Sequence, residues 1–97
     1  MNNSVKKTYR DEKTKKSFIN HLNRINGQIN GVKKMIEKDA YCNDVLVQLS
    51  AIKNSVKSLS NQVLEKHLNT CIKDGLKKEN TDTIKEVIDL FKRFNKD

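Results

Sequence analysis

The 97-residue sequence contains no proline and no tryptophan, and it has only three glycines and two cysteines. Because proline is the strongest breaker of a helix, nothing of that kind interrupts long helices here. No run approaches the roughly 18–20 apolar residues that a spanning helix needs, so we expect no membrane segment. Residues 1–16 are polar and lack the apolar core of a signal peptide, which predicts a cytoplasmic protein with reduced thiols.

Apolar residues are also scarce, at 35% of the chain. A domain of this size buries only about 60–70% of its unfolded surface, so a single chain has a thin core and we expect an oligomer. Twenty Lys and Arg face twelve Asp and Glu, which gives a formal net charge of +8. A field of this sign attracts polyanions, and nucleic acid is the expected partner rather than a membrane.

Apolar residues recur at the three- and four-residue spacing of amphipathic helices. Residues 1–13 lack this pattern and are predicted to be a flexible basic arm, whereas 14–97 form one helical domain. The pattern predicts a first helix near 14–38, a turn at 39–41, a much longer second helix that ends near Gly75, and a third helix capped by Asn80 or Thr81. Gly27 and Gly31 interrupt the first helix, which suggests close approach of another helix. The predicted fold class is all-α.

Three residues stand out because they share one helical stripe but cannot meet within one chain. His67 and Cys71 are one turn apart on the same face. Cys42 lies 25 residues before His67, which corresponds to about 37 Å of helix, yet all three project within about 20° of one stripe. In an antiparallel dimer, each Cys42 would meet the His67 and Cys71 of the other chain.

Two thiolates and one imidazole form a soft donor set that suits Cu(I), and it suits Zn(II) if a fourth ligand is supplied. However, a lone histidine on an apolar face is often a packed residue, and a lone buried cysteine often behaves as a small hydrophobe. The residues alone leave both interpretations open.

Three runs resemble the CsoR/RcnR family of bacterial metal-sensing repressors: LNRINGQ at 22–28, YCNDVL at 41–46 and HLNTC at 67–71. The resemblance covers roughly residues 18–95. It implies an antiparallel dimer that assembles into a dimer-of-dimers tetramer. It also implies Cu(I) bound by Cys42 of one chain with His67 and Cys71 of its partner, which is the pattern of the copper-sensing branch.

The same resemblance suggests that Tyr41 and Glu86 form a hydrogen-bond network to His67. The thiol Cys71 and the absence of histidine from residues 1–20 argue against the nickel- and cobalt-sensing branch. His67 argues against the persulfide-sensing branch without excluding it.

No helix-turn-helix, zinc finger or homeodomain pattern is visible, so we expect DNA to be held mainly through phosphates and shape. Basic residues on the first two helices are the predicted contacts: Lys15, Lys16, Arg24, Lys33, Lys34, Lys53 and Lys57. The sequence departs from the family pattern at His21, Asn26 and Asn30, where relatives often carry arginine, glutamate and a basic residue.

The sequence thus predicts a repressor that binds operator DNA without metal and releases it when Cu(I) binds, which would derepress copper-export genes. The alternatives are a thiol-based sensor of persulfide or aldehyde, a copper buffer without a DNA role, and a purely structural helical oligomer. An enzyme is not expected, because no carboxylate pair, phosphate loop or nucleophile–base arrangement stands out.

Overall fold

The computed structural model of the chain describes residues 7–75 and 81–96, and within 70–75 and 81–84 it describes the backbone only. It contains three helices: α1 (Glu12–Glu37), α2 (Cys42–Gly75) and α3 (Thr81–Phe94). The all-α prediction with a long central helix is therefore confirmed, and α1 begins two residues before the predicted start of the domain. With 34 residues, α2 is about 51 Å long at about 1.5 Å per residue.

Helices α1 and α2 form an antiparallel hairpin. The Oγ atom of Ser55, in the middle of α2, lies 3.4 Å from Nε2 of His21 on α1. The molecule is elongated, with extents of 56 × 30 × 26 Å, and α2 sets its longest dimension.

The turn between α1 and α2 is a Schellman motif. The amide of Asp39 donates to the carbonyl of Ile36, and the amide of Ala40 donates to the carbonyl of Met35, at 3.1 and 2.9 Å. These two bonds satisfy carbonyls at the end of α1 that have no helical partner. Asp39 has a φ of +57°, the left-handed conformation in which this motif usually has glycine. Tyr41 and Cys42 follow the turn directly, and α2 begins at Cys42.

Helix α3 runs back along the second half of α2. The side-chain Nδ2 of Asn95, just after α3, donates to Oδ1 of Asn61 on α2 at 3.1 Å. Between the two helices lies an apolar groove of about 410 Å³, which His67 and Arg10 also border. Its apolar walls are Leu59, Val63, Leu64, Val87, Leu90, Phe91 and Phe94.

The core of the single chain is thin. Among the described residues, the buried apolar side chains are Ile25, Val45, Leu59 and Val87. Eight apolar side chains of the hairpin remain 38–63% exposed: Ile19, Leu22, Ile29, Ile36, Leu46, Val47, Leu49 and Val56. One chain therefore leaves much of its apolar surface uncovered.

Gly27 and Gly31 do not mark a close contact between helices of one chain. A Cβ atom built on either glycine would meet no described atom within 4 Å. Within the described part of the chain no helix approaches these positions closely, because α2 packs on a different side of α1.

Asp11 caps the N-terminus of α1. Its carboxylate accepts a 2.7 Å hydrogen bond from the amide of Thr14, which would otherwise lack a partner in the first turn. This bond holds the pKa of Asp11 below its usual value, and the charge of Lys66 on α2 acts in the same direction.

We predict that Asp39→Gly stabilises the protein. Glycine removes the cost of about 1–2 kcal/mol that a side chain adds in the left-handed region. Its greater freedom in the unfolded chain offsets part of this gain, so the free energy of unfolding should rise by about 0.5 kcal/mol. Denaturant unfolding at one protein concentration would measure the change. Lys38→Gly is the matched control, since Lys38 has a φ of −96° and glycine there should destabilise. A loss of stability in Asp39→Gly would contradict the prediction.

The cap at Asp11 predicts a specific loss of stability in acid. Because the pKa of Asp11 is lowered in the folded state, its contribution is present above the pKa of the unfolded chain. The contribution is lost as the pH falls through the folded value. Asn also accepts the capping hydrogen bond but carries no charge and does not titrate, so the stability of wild type relative to Asp11→Asn should fall as the pH drops from about 5 to about 2. Asp11→Ala should be less stable than Asp11→Asn throughout.

Thermal melting of the three proteins across this range tests the cap. A constant difference between wild type and Asp11→Asn at every pH would contradict the assignment.

Candidate metal centre and nucleic-acid surface

Cys42 is the first residue of α2, and its thiol is free and exposed. The preceding residue, Tyr41, is 68% exposed, and its hydroxyl accepts a 3.2 Å hydrogen bond from Nδ2 of Asn43. One end of α2 therefore presents a thiol and a phenol side by side to the surroundings.

His67 lies near the other end of α2 and is partly buried. It borders the apolar groove on one side. On the other side it borders a smaller polar notch, whose walls include Thr8, Arg10, Thr14 and Lys66. The imidazole therefore lies where α2 meets both α3 and the segment that leads into α1.

The structure does not bring the three predicted ligands together within one chain. Cys42 and His67 are separated by 25 residues of one helix, or about 37 Å. Cys71 falls within the bounds of α2, one turn after His67, but its side chain lies outside the described residues. Within the described part of the chain, no three His, Cys, Asp or Glu side chains are grouped so that they could hold a metal.

The two residues predicted to bond to His67 lie at opposite ends of α2. Tyr41 adjoins Cys42 and is as far from His67 of its own chain as that thiol is. Glu86 lies on α3 and is exposed, next to the buried Val87 that lines the apolar groove with His67. Of these two residues, Glu86 is therefore the one that lies at the same end of α2 as His67 within one chain.

The predicted DNA contacts all lie on the α1–α2 hairpin. Lys15 is 3.5 Å from Glu12 through its ammonium group, a surface pair that leaves the lysine accessible. Lys57 is partly buried, and the remainder are exposed: Lys15, Lys16, Arg24, Lys33, Lys34 and Lys53. Asn26 and Asn30, two of the departures from the family pattern, are also exposed.

His21, the third departure, is not a surface residue. It is 7% exposed, the one buried polar residue among those described, and Ser55 is its hydrogen-bond partner. The sequence predicts an altered DNA contact at this position, but the imidazole of His21 packs between α1 and α2. The three- and four-residue spacing of apolar residues does indicate burial here, since His21 lies one turn before the buried Ile25.

The sequence also gave no hint that the last residues of the predicted arm contact α2. Thr8 and Arg10 line both the apolar groove and the polar notch beside His67. The Arg10 guanidinium donates to the carbonyl of Thr8 at 3.2 Å and lies 5.8 Å from the centre of the Phe18 ring. Such contacts depend on tertiary structure and leave no periodic trace in sequence.

None of the helices in the described part of the chain has the length and apolar character required to cross a bilayer.

Comparison with known proteins identifies the family. A family model described as metal-sensitive transcriptional repressor matches residues 14–93. The copper-sensing transcriptional repressor CsoR of Bacillus subtilis is 38% identical over 89 residues, which cover 91% of this chain and 88% of the relative. The copper-sensing transcriptional repressor RicR of Mycobacterium tuberculosis is 40% identical over 58 residues, which cover 60% of each chain.

Solved structures agree with this assignment. The copper-sensing repressor CsoR with Cu(I) from Geobacillus thermodenitrificans superposes with a TM-score of 0.81 at 34% identity, over 93% of this chain and 95% of that one. The nickel-responsive transcriptional regulator InrS gives a TM-score of 0.69 at 28% identity, over 94% and 99% of the two chains. Because the match spans nearly all of the three-helix domain, the protein belongs to the family of metal-sensitive transcriptional repressors.

Proposed function

We propose that the protein is a Cu(I)-responsive transcriptional repressor whose sensing site is built from two subunits. Cys42 of one subunit would join His67 and Cys71 of a second, and an antiparallel pair of α2 helices would form two equivalent sites. The observation that carries this proposal is the single uninterrupted helix that holds Cys42 and His67 on one stripe about 37 Å apart. The copper-sensing relatives support the choice of metal.

The donor set fits Cu(I). Two thiolates and one imidazole are soft ligands, and Cu(I) accepts them in trigonal three-coordination. When bound, the ion supplies a soft centre that ties thiolates and imidazole of different subunits together. Octahedral oxygen- and nitrogen-preferring metals would find too few donors in this set. The exposed thiol of Cys42, at the start of its helix, is accessible to a ligand brought by another chain.

An antiparallel dimer would also cover the apolar surface that one chain leaves open. Burying the eight exposed apolar side chains of the hairpin would contribute on the order of 5–10 kcal/mol per subunit before the cost of association. Two such dimers would form the homotetramer. Its formal charge would be about +32, four times the +8 of one chain, which favours double-stranded DNA as the partner.

Tyr41 and Glu86 would link the site to the shape of the assembly. In an antiparallel dimer, Tyr41 arrives with Cys42 at the His67 end of the second subunit, where Glu86 of that subunit lies on α3. Both side chains carry oxygens that can accept a hydrogen bond from the imidazole nitrogen that is not a ligand. Ligation would then draw the N-terminus of one α2 towards α3 of the other subunit.

The effect on DNA follows as negative allostery. The form without metal would bind operator DNA through the basic residues of the hairpin, and closure of the sites would favour an assembly with lower affinity. By linkage, DNA must weaken Cu(I) binding by the same factor.

One observation also favours a second candidate function. The exposed thiol of Cys42 is open to sulfur or aldehyde chemistry, which would make the protein a thiol-based repressor of the same family.

We predict that Cu(I) releases the protein from its DNA at about one ion per chain. Cu(I) binding should lower the DNA affinity about 5–150-fold, which is the usual range of allosteric coupling. His67→Ala should still bind DNA but should lose the response, because the site then lacks its imidazole. Fluorescence anisotropy of operator DNA during anaerobic titration measures both.

Asn69→Ala, an exposed change on the same helix, is the matched control and should respond like wild type. Tight DNA binding that ignores Cu(I) but is lost on persulfide or aldehyde treatment would favour the thiol-based sensor. No DNA binding in any state would contradict the repressor.

A mixing experiment tests whether the site spans two subunits. Cys42→Ala and His67→Ala should each lose tight Cu(I) binding when alone. A mixed dimer contains one complete site, formed by Cys42 of the second variant with His67 and Cys71 of the first. An equal mixture refolded together should therefore recover about a quarter of the wild-type sites, measured by competition with a chromophoric Cu(I) chelator. A site within one chain predicts no recovery.

A further inference from the structure

A pair of asparagine side chains ties the end of α3 to the middle of α2. Nδ2 of Asn95 donates to Oδ1 of Asn61 at 3.1 Å and also to the carbonyl oxygen of Phe91 at 2.9 Å. A side-chain amide nitrogen carries two hydrogens, so both of its donors are used. The bond to Phe91 anchors the side chain of Asn95 on its own helix, and the second hydrogen is directed at α2.

The apolar contacts between α2 and α3 do not by themselves select one position of α3. Its lining side chains recur at three- and four-residue spacing: Val87, Leu90, Phe91 and Phe94. A slide of one turn, about 5.4 Å, would replace one apolar side chain by another, and hydrophobic contacts have no direction. The apolar groove of about 410 Å³ also shows that the two helices do not interlock tightly. In the described part of the chain α3 does not approach α1, so α1 does not hold it in place.

A polar pair within an apolar contact selects the register of the two helices. Sliding α3 by one turn would separate Asn61 from Asn95, and both side chains are partly buried. Because a polar group that is removed from water and loses its partner is costly, the displaced arrangement is disfavoured. A single asparagine in the seam of a coiled coil fixes its register in the same way. The bond between Asn61 and Asn95 therefore holds α3 at one position along α2.

That register determines which part of α3 lies opposite His67. The helices are antiparallel, and His67 follows Asn61 by six residues, so the position level with it lies six residues before Asn95, at Asp89. Glu86 is three residues further along, about 4.5 Å in the direction of the helix axis. A slide of one turn would move Glu86 by about 5.4 Å relative to His67, which is longer than a hydrogen bond.

We propose that Asn61 and Asn95 are positioning residues for the response to Cu(I), because their hydrogen bond holds α3 in the register from which Glu86 bonds to the ligating imidazole of His67. This inference rests on the proposed function and adds to it the pair of residues that couples the metal site to α3. Neither asparagine is among the proposed ligands or DNA contacts. Loss of their bond should leave the binding of each ligand intact and weaken the effect of one ligand on the other.

The test measures Cu(I) binding and DNA binding separately in Asn61→Ala. This change removes the acceptor on α2 and leaves the bond from Asn95 to Phe91 in place. Chelator competition should give the wild-type Cu(I) stoichiometry, and fluorescence anisotropy should give the wild-type affinity of the apo form for operator DNA. The factor by which Cu(I) lowers the DNA affinity should fall about 2–12-fold, which is the contribution of one neutral hydrogen bond.

Asn61→Asp is the conservative variant and should respond like wild type, since its carboxylate still accepts a hydrogen bond from Asn95. Asn95→Ala should lose the response as Asn61→Ala does. If the two residues act as a pair, Asn61→Ala/Asn95→Ala should lose no more than either single variant. Asn69→Ala, an exposed change on α2 outside the apolar groove, is the matched control.

Each outcome decides between a positioning role and its alternatives, and circular dichroism melting verifies folding. Wild-type release of DNA by Asn61→Ala would overturn the positioning role and leave the proposed function intact. Loss of folding, of Cu(I) binding or of apo DNA binding in Asn61→Ala would show a purely structural role and would also overturn it. Failure of Cu(I) to release the wild-type protein would contradict the proposed function itself, and this inference with it.

Discussion

The structure depends above all on the continuity of α2. No proline occurs in the chain, and no glycine falls between Cys42 and Gly75, so one helix of 34 residues carries both ends of the proposed site. Helix α1 covers α2 on one side and α3 covers only its second half, which leaves a long apolar face open. A helix of this length extends beyond the hydrophobic core that a chain of 97 residues can form. The same continuity that separates Cys42 from His67 thus creates the surface that a second subunit would cover.

Two local features determine how α2 is positioned against α1 in the hairpin. At one end, the Schellman turn with left-handed Asp39 places Tyr41 and Cys42 at the beginning of α2. Near its middle, His21 and Ser55 join the helices through a buried polar contact. A buried imidazole must keep its partner, since an unsatisfied group costs about 1–3 kcal/mol. This requirement favours one register of α1 on α2 and so determines which basic side chains of the hairpin lie near one another.

The three helices and their approximate ends could be predicted because apolar spacing and the lack of proline act locally. The stripe that contains Cys42 and His67 followed from the same periodicity, and the continuous helix required for it is present. The left-handed conformation of Asp39 could not be predicted, because it depends on the hydrogen bonds of the turn. Nor could the packing of Arg10 beside His67, since it requires knowledge of which helix lies opposite, whereas the burial of His21 could have been read from its place one turn before Ile25. The side chain of Cys71 lies outside the described residues, and its role remains a prediction.

The proposed coupling between metal and DNA has to be geometric rather than electrostatic. If Cys42 and Cys71 ligate Cu(I) as thiolates, two protons leave for each monovalent ion that enters, so a site changes the charge by about −1. Four sites would lower the formal charge of a tetramer, which is about +32, by only one eighth. The exposed lysines of the hairpin keep their charge throughout. DNA phosphates recur at fixed intervals along the duplex, so a rigid shift of one hairpin against another misaligns several contacts together. Two stiff antiparallel helices that are tied together at both of their ends are suited to transmit such a shift.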